Sequence, residues 1–346
     1  MNDTIGDKGA GVMRAAVCRT LGAIESISVE TIPRPSIGHG QLRVAVLAAG
    51  ISYMDVLLAK GAYQVAQQPP YVPGSEFVGR VTEVADGVAD AAVGDLVVGQ
   101  SGGGAFAEEL VTAAVNVGRL PAGIPYLVAA TMLQSYSTAI YTLTRRSPVD
   151  AGDRVLVLGA GGGVGLAAID VAHSMGALVI GAASTEAKRQ RAIEAGADFV
   201  IDTSREDLKH RARELADGKL SVVVDPVGGP LAEQALRALD FGGRHLVLGF
   251  ADAIPSIALN WVLLNSRSVV GVEFGAAIAR SPGLAWEINR AVLDSVASGR
   301  LRPTTPTTVP LNQVSRAFRL LDERRAVGKV ALIIDEERTG ADSPGR

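Results

Sequence analysis

The sequence predicts an α/β protein with a doubly wound parallel sheet and, ahead of it, a β-rich domain. Three observations lead there. The apolar run Arg154-Val155-Leu156-Val157-Leu158 ends in five glycines among positions 159–165, and apolar residues then recur at helical spacing through Ala172. Further apolar runs at 178–182, 199–202, 221–225, 244–249 and 268–271 alternate with helical stretches, the pattern of parallel strands with crossover helices. Upstream, short alternating segments are broken by glycine and proline, as in β-rich barrels.

Strand, tight turn, helix is the order a dinucleotide-binding turn requires. It needs a glycine for the turn, one for close approach of the pyrophosphate and one for packing helix on strand. Ala160 takes the first of these places, and Gly162 and Gly165 the other two. Ahead of the loop, segments 14–18 and 26–30 read as strands joined at Gly22, 41–50 as a strand, and 51–58 as a short helix capped by serine. Segments 77–84 and 95–99 are further strands, and Pro125 to Thr144 a long helix leading into the second domain. Past Phe274 come a helix over 285–297, a proline-rich link, a helix over 311–324 and a last strand, 329–334, too short for a domain and so expected to return to the first one.

Composition bounds the function. A chain of 346 residues, 48% hydrophobic and 20% charged, suits two ordinary domains with a sizeable core. A net charge of −3 without a basic block disfavours nucleic acid. One cysteine, Cys18, excludes disulfides within the chain and a cysteine-rich metal site. With no long apolar run or signal-peptide pattern, a cytoplasmic protein without a membrane span is expected. Residues 1–12 and 336–346 read as a loose leader and tail.

Several stretches in one order carry a resemblance. They are Gly50-Ile51-Ser52-Tyr53-Met54-Asp55, Pro73-Gly74-Ser75-Glu76-Phe77-Val78-Gly79, Val93-Gly94-Asp95, the glycine loop, Glu194-Ala195-Gly196-Ala197-Asp198, Asp225-Pro226-Val227-Gly228-Gly229 and Gly328-Lys329-Val330. Together they resemble the medium-chain dehydrogenase/reductase superfamily, and within it the zinc-free, zeta-crystallin-like NADPH:quinone oxidoreductase branch. The resemblance implies a GroES-like catalytic domain over 13–134 and 273–346, interrupted by a Rossmann domain over 135–272. It also implies a homodimer or tetramer paired at the strand edge Val269-Val270-Gly271-Val272.

In the superfamily's zinc enzymes a cysteine stands where this chain has Ser52, and a histidine where it has Ser75, just before Glu76. A catalytic zinc needs three suitable protein ligands. His39, His173, His210 and His245 are scattered over a loop, two helices and a strand, so no metal site is expected.

At the end of the second Rossmann strand an NAD site usually carries an acid. This chain has Ser184 there, with Lys188 a turn later, a hydroxyl and a cation suited to a 2′-phosphate. The resemblance gives that task to Lys188 and Arg325 and implies NADPH. It adds Gly159, Gly162, Gly163, Val164, Gly165, Val227, Gly249, Phe250, Phe274 and Lys329 as cofactor contacts, with Thr203 where relatives have a tyrosine near the adenine. For the chemistry it nominates Ser52, Tyr53, Tyr63 and Thr138, while Leu57 replaces another tyrosine and makes the pocket more apolar. Asp55 reads as a helix N-terminal charge. The expectation is hydride transfer to a quinone or α,β-unsaturated carbonyl. Enoyl-thioester reduction and a non-catalytic NADPH-binding role are the alternatives.

Overall fold

A computed structural model describes residues 11–65, 67–281 and 283–335. Apart from Gly11 and Val12, the expected leader lies outside the described residues, as does the tail from 336. β1 (Val12–Val17) pairs antiparallel with β2 (Ser28–Pro33). β3 (Gln41–Ile51) follows, its last eight residues buried, and its end is capped into α1 (Tyr53–Lys60). Next come β4 (Glu76–Val84), β5 (Leu96–Gln100), β6 (Glu109–Ala113), β7 (Val117–Arg119) and α2 (Tyr126–Ile140), which runs on into a π-helical turn over Tyr141–Arg146.

The second sheet begins at β8 (Arg154–Leu158). Then follow α3 (Gly163–Ser174), β9 (Leu178–Ala183), α4 (Glu186–Glu194), β10 (Phe199–Asp202), α5 (Leu208–Leu215), β11 (Val222–Asp225), α6 (Gly229–Ala238), β12 (Arg244–Val247), α7 (Leu259–Leu263) and β13 (Ser268–Gly271). The chain closes with α8 (Phe274–Arg280), α9 (Leu284–Ala297), β14 (Thr307–Pro310), α10 (Val314–Asp322) and β15 (Val330–Ile333).

All six strands of the second sheet are parallel, in the order β10-β9-β8-β11-β12-β13. Successive side chains of β8 point to opposite faces. Val155 and Val157 join one apolar cluster with α2 and α3, and Leu156 and Leu158 another with α5 and α6. Burial on both faces is why the strand reads as an unbroken apolar run. The strand order reverses between β8 and β11, so the carboxyl ends of these two strands open a crevice.

The other sheet runs β14-β15-β3-β4-β5-β7, with β6 also on β3. β15 pairs antiparallel with β3, Val330 opposite Ile51, so the last strand does return to the first sheet. Expectation and structure differ at short elements. The proline-rich link contains β14, and β6, β7, α7 and α8 had no counterpart in the sequence pattern. The helix expected over 311–324 is a 3₁₀ turn at 311–313 followed by α10.

Candidate functional site

Each glycine of the loop after β8 meets a different neighbour. Gly159 turns the chain with φ +61°, in the left-handed region, so the turn position falls on Gly159 and not on Ala160, which is buried. A Cβ on Gly165 would lie 2.2 Å from the Gly159 carbonyl oxygen, which is the tight packing of helix on strand. On Gly161 it would strike Lys188, and on Gly163 Lys329 Cδ at 2.6 Å. Gly162, exposed, is the N-cap of α3, and no side chain bonds the first-turn N–H groups there. That end of α3, with Val164 in its first turn, is a ready anion site.

At the end of β9, Thr185 caps α4, and Ser184 is exposed beside it. Half-buried Lys188 reaches across to donate from Nζ to the Arg324 carbonyl oxygen at 2.7 Å. Burial, and then the Arg324 charge, hold its ammonium below the usual lysine range. Arg324 sits at φ +56°, and its guanidinium bonds the Ala251 carbonyl at 3.0 Å and Asp252 at 2.9 Å. The arginine beside Lys188 is therefore Arg324. Arg325, nominated from the sequence, is exposed and pairs with Glu323, because the left-handed residue after α10 sends the two side chains apart. Thr203 is half-buried, its N–H on the Ala183 carbonyl. Arg189 points elsewhere, to Glu186 and Asp202.

Under the crevice lies an ion pair from distant parts of the chain. Lys329 Nζ is 2.6 Å from Glu76 Oε1, the side chains 11% and 1% exposed. The other Glu76 oxygen accepts from the Gln134 N–H in the middle of α2 at 3.0 Å. Gly50 makes room for it, since a Cβ there would stand 2.4 Å from Glu76 Oε1.

Beside this pair, Asp55 Oδ2 accepts from both the backbone N–H and the hydroxyl of Ser52 at 2.8 Å. Asp55 caps its helix as expected, but it is buried, and burial pushes its carboxyl up to about 6, against the Ser52 hydrogen bonds and the Lys329 charge. The unfolded carboxyl titrates near 3.8, so the folded state holds the proton more tightly. Stability from this group is full below pH 4 and is lost as pH rises to about 6. Asp55→Asn, which keeps the cap acceptor, is expected to remove that slope. Urea unfolding from pH 4 to 7 checks it, and identical slopes for the two proteins would refute a buried charge.

The nominated acceptor-side residues gather unevenly. Tyr53 donates to the Ala251 carbonyl at 3.3 Å, across the crevice. Thr138 bonds back to the Gln134 carbonyl in α2 at 2.8 Å, one turn from the Gln134 amide that touches Met54 Sδ. Tyr63 is half-buried, its phenol pushed up by burial and then by Glu273. Phe274, next to that glutamate, stacks on Tyr141 with centroids 5.0 Å apart. Val227 covers Gly159, and half-buried Gly249 and Phe250 follow β12, Phe250 close to Gly228. Gln134, Tyr141, Asp252 and Arg324 carried no local motif and were missed from the sequence.

Residues 38–122 match the alcohol dehydrogenase GroES-like domain, and residues 163–289 the zinc-binding dehydrogenase family. The chain is 36% identical over 322 residues to quinone oxidoreductase-like protein 2 of Bos taurus, covering 92% of each. The chain belongs to the zinc-independent quinone oxidoreductase branch of the medium-chain dehydrogenase/reductase superfamily. It superposes on the Escherichia coli quinone oxidoreductase solved in complex with NADPH with a TM-score of 0.85 and 28% identity, covering 93% of this chain and 99% of that one. It is also 32% identical over 338 residues to the mycocerosic acid synthase-like polyketide synthase of Mycolicibacterium smegmatis, covering 97% of this chain but 16% of the synthase.

The wider family of this oxidoreductase implies a zinc ion. The donor set does not fit. Ser52 and Ser75 are hydroxyls, and Ser75 Oγ is buried without a hydrogen-bond partner among the described residues. The Glu76 carboxylate is occupied by an ammonium, and no group of three or more His, Cys, Asp or Glu among the described residues could hold a metal ion. Nor is any helix among them long and apolar enough to cross a membrane.

Proposed function

We propose that this oxidoreductase uses NADPH, works without zinc, and reduces a quinone or an α,β-unsaturated carbonyl compound. One observation carries the reading furthest. The crevice joins an uncapped helix N-terminus, and a Lys188 ammonium held on the Arg324 carbonyl, to a floor where the Ser52 hydroxyl and Lys329 are paired to the Asp55 and Glu76 carboxylates. NADPH, which relatives hold, supplies a hydride from its nicotinamide.

The residues divide the work. First-turn N–H groups of α3 at Gly163, Val164 and Gly165 hold the pyrophosphate. Ser184, Lys188 and Arg324 hold the 2′-phosphate. Thr203 flanks the adenine, and Val227, Gly249, Phe250 and Phe274 bound the nicotinamide half. Lys329, pressed on Gly163, orients the glycine loop. Ser52, Tyr53, Tyr63 and Thr138 line the acceptor side, where a hydroxyl donor or water supplies the proton that accompanies the hydride. Residues 13–134 with 273–346, and residues 135–272, are the two domains between which this happens.

The polyketide synthase match favours a second reading, an enoyl thioester as acceptor. NADPH oxidation at 340 nm against 1,4-quinones, 2-enones, 2-alkenals and a crotonyl thioester, each repeated with NADH, tests both. Preferential turnover of quinone or enone supports the first reading, and of the thioester the second. Binding of NADPH without turnover of any supports a non-catalytic role.

Val269 is exposed on the edge strand β13, and Ile254, Leu259 and Leu263 are exposed in the segment that leads to it, which supports a homodimer or tetramer. A monomeric mass under the assay conditions would refute it.

A further inference from the structure

The interior of the parallel sheet carries one polar pair that the cleft described above does not use. His245 on β12 has Nε2 2.9 Å from Asp225 Oδ2 on β11, the side chains 0% and 2% exposed. The other carboxylate oxygen, Oδ1, accepts from the backbone N–H of Val227 and of Gly228, both at 2.8 Å. A carboxylate only accepts, so His245 Nε2 carries a proton and donates it. His245 Nδ1 is then buried without a hydrogen-bond partner among the described residues. Aliphatic Val223, Val224 and Leu246 surround these positions in the strands, and an aliphatic side chain at 245 would carry no orphan nitrogen.

What the pair holds is a loop that does not hold itself. Gly228 and Gly229 are both at positive φ, +69° and +59°, a conformation open to many alternatives. Asp225 fixes the N–H groups of Val227 and Gly228. The loop in turn bonds the segment after β12, Gly229 N–H to the Ala253 carbonyl at 2.7 Å and Asp252 N–H to the Val227 carbonyl at 2.9 Å. That second segment is the one Tyr53 and Arg324 reach from the other side of the crevice.

We propose that His245 is a positioning residue which, through Asp225, holds the 226–229 loop in the arrangement that seats the nicotinamide half of the cofactor. The proposal rests on the NADPH reading above. Aligned by His245, the Asp225 carboxylate keeps one oxygen for the loop and cannot rotate away from it.

Binding of the whole cofactor and of its adenosine half separates this from a general packing role. NADPH and 2′,5′-ADP are titrated onto the wild type, His245→Leu and His245→Gln. His245→Leu is expected to weaken NADPH about tenfold, the loss of about one hydrogen bond's worth of order, and to leave 2′,5′-ADP within about twofold. His245→Gln, whose amide can donate to Asp225, is expected to recover most of the NADPH affinity. Equal weakening of both ligands, or of neither, overturns the proposal. A wild type that binds neither refutes the NADPH reading itself, and the proposal with it. Should His245→Leu fail to fold, amide hydrogen exchange on the cofactor-free wild type decides. Protection of the 227–229 amides close to that of β11 supports the proposal, and exchange at the rate of an exposed loop overturns it.

Discussion

Lys188→Ala is expected to raise the KM for NADPH roughly 10- to 100-fold while leaving that for NADH within about twofold. A hydrogen bond from a charged donor to a phosphate contributes about 1.5–3 kcal/mol, which sets that range. Only NADPH carries the 2′-phosphate, so the loss falls on one cofactor. Lys188 is placed for this by two constraints at once. Its stem lies on Gly161, and its ammonium meets the Arg324 carbonyl. Lys188→Met, which keeps the stem, separates charge from packing and is expected to match the alanine variant. Arg324→Ala should shift NADPH in the same direction, whereas Arg325→Ala should not, since Arg325 faces Glu323. Steady-state kinetics with both cofactors measure all four variants. Equal losses for NADPH and NADH would mean that Lys188 is not at the phosphate.

The difference between Arg324 and Arg325 shows where a sequence stops being informative. A single residue at φ +56° decides which of two adjacent arginines faces Lys188, and nothing in the local pattern encodes that choice. The turn of the glycine loop is a similar case. Both Gly159 and Ala160 can be fitted to a motif, and only the backbone assigns the left-handed position to Gly159. By contrast, the parallel strands were legible because burial on both faces writes them as continuous apolar runs, and β8, β9 and β10 begin at the expected residues. Strands of three to five residues such as β6, β7 and β14 left no such trace, because their pairing partners, not their own alternation, make them strands. The acceptor side was legible only as a set of candidates. Ser52 bonds Asp55 and Tyr53 bonds the Ala251 carbonyl, whereas Asp225 and His245 bear on the 226–229 loop from inside the sheet, through pairing that no spacing in the sequence reveals.

The Glu76–Lys329 pair is the strongest example of long-range placement, and its removal should have the largest effect on stability. Lys329→Met is expected to destabilise the protein by about 3–5 kcal/mol, because it leaves a carboxylate buried with one backbone donor as its remaining partner. For a chain of 346 residues that lowers Tm by about 4–7 °C. Glu76→Gln in the same background removes the uncompensated charge while an amide oxygen can still accept from Gln134, so the double variant should regain most of the loss. Thermal unfolding of the two single variants and the double variant tests this directly. A Lys329→Met protein as stable as the wild type would show that Glu76 is readily neutralised or solvated there, and that the pair does not hold the start of β15 against β4. The cofactor offers an independent check on the same residue. Lys329 presses on Gly163 at the start of α3, so the double variant, with stability regained, should still bind NADPH more weakly than the wild type. Stability and binding thus separate the two sides of one lysine, its ammonium holding Glu76 beneath the crevice and its stem shaping the loop above.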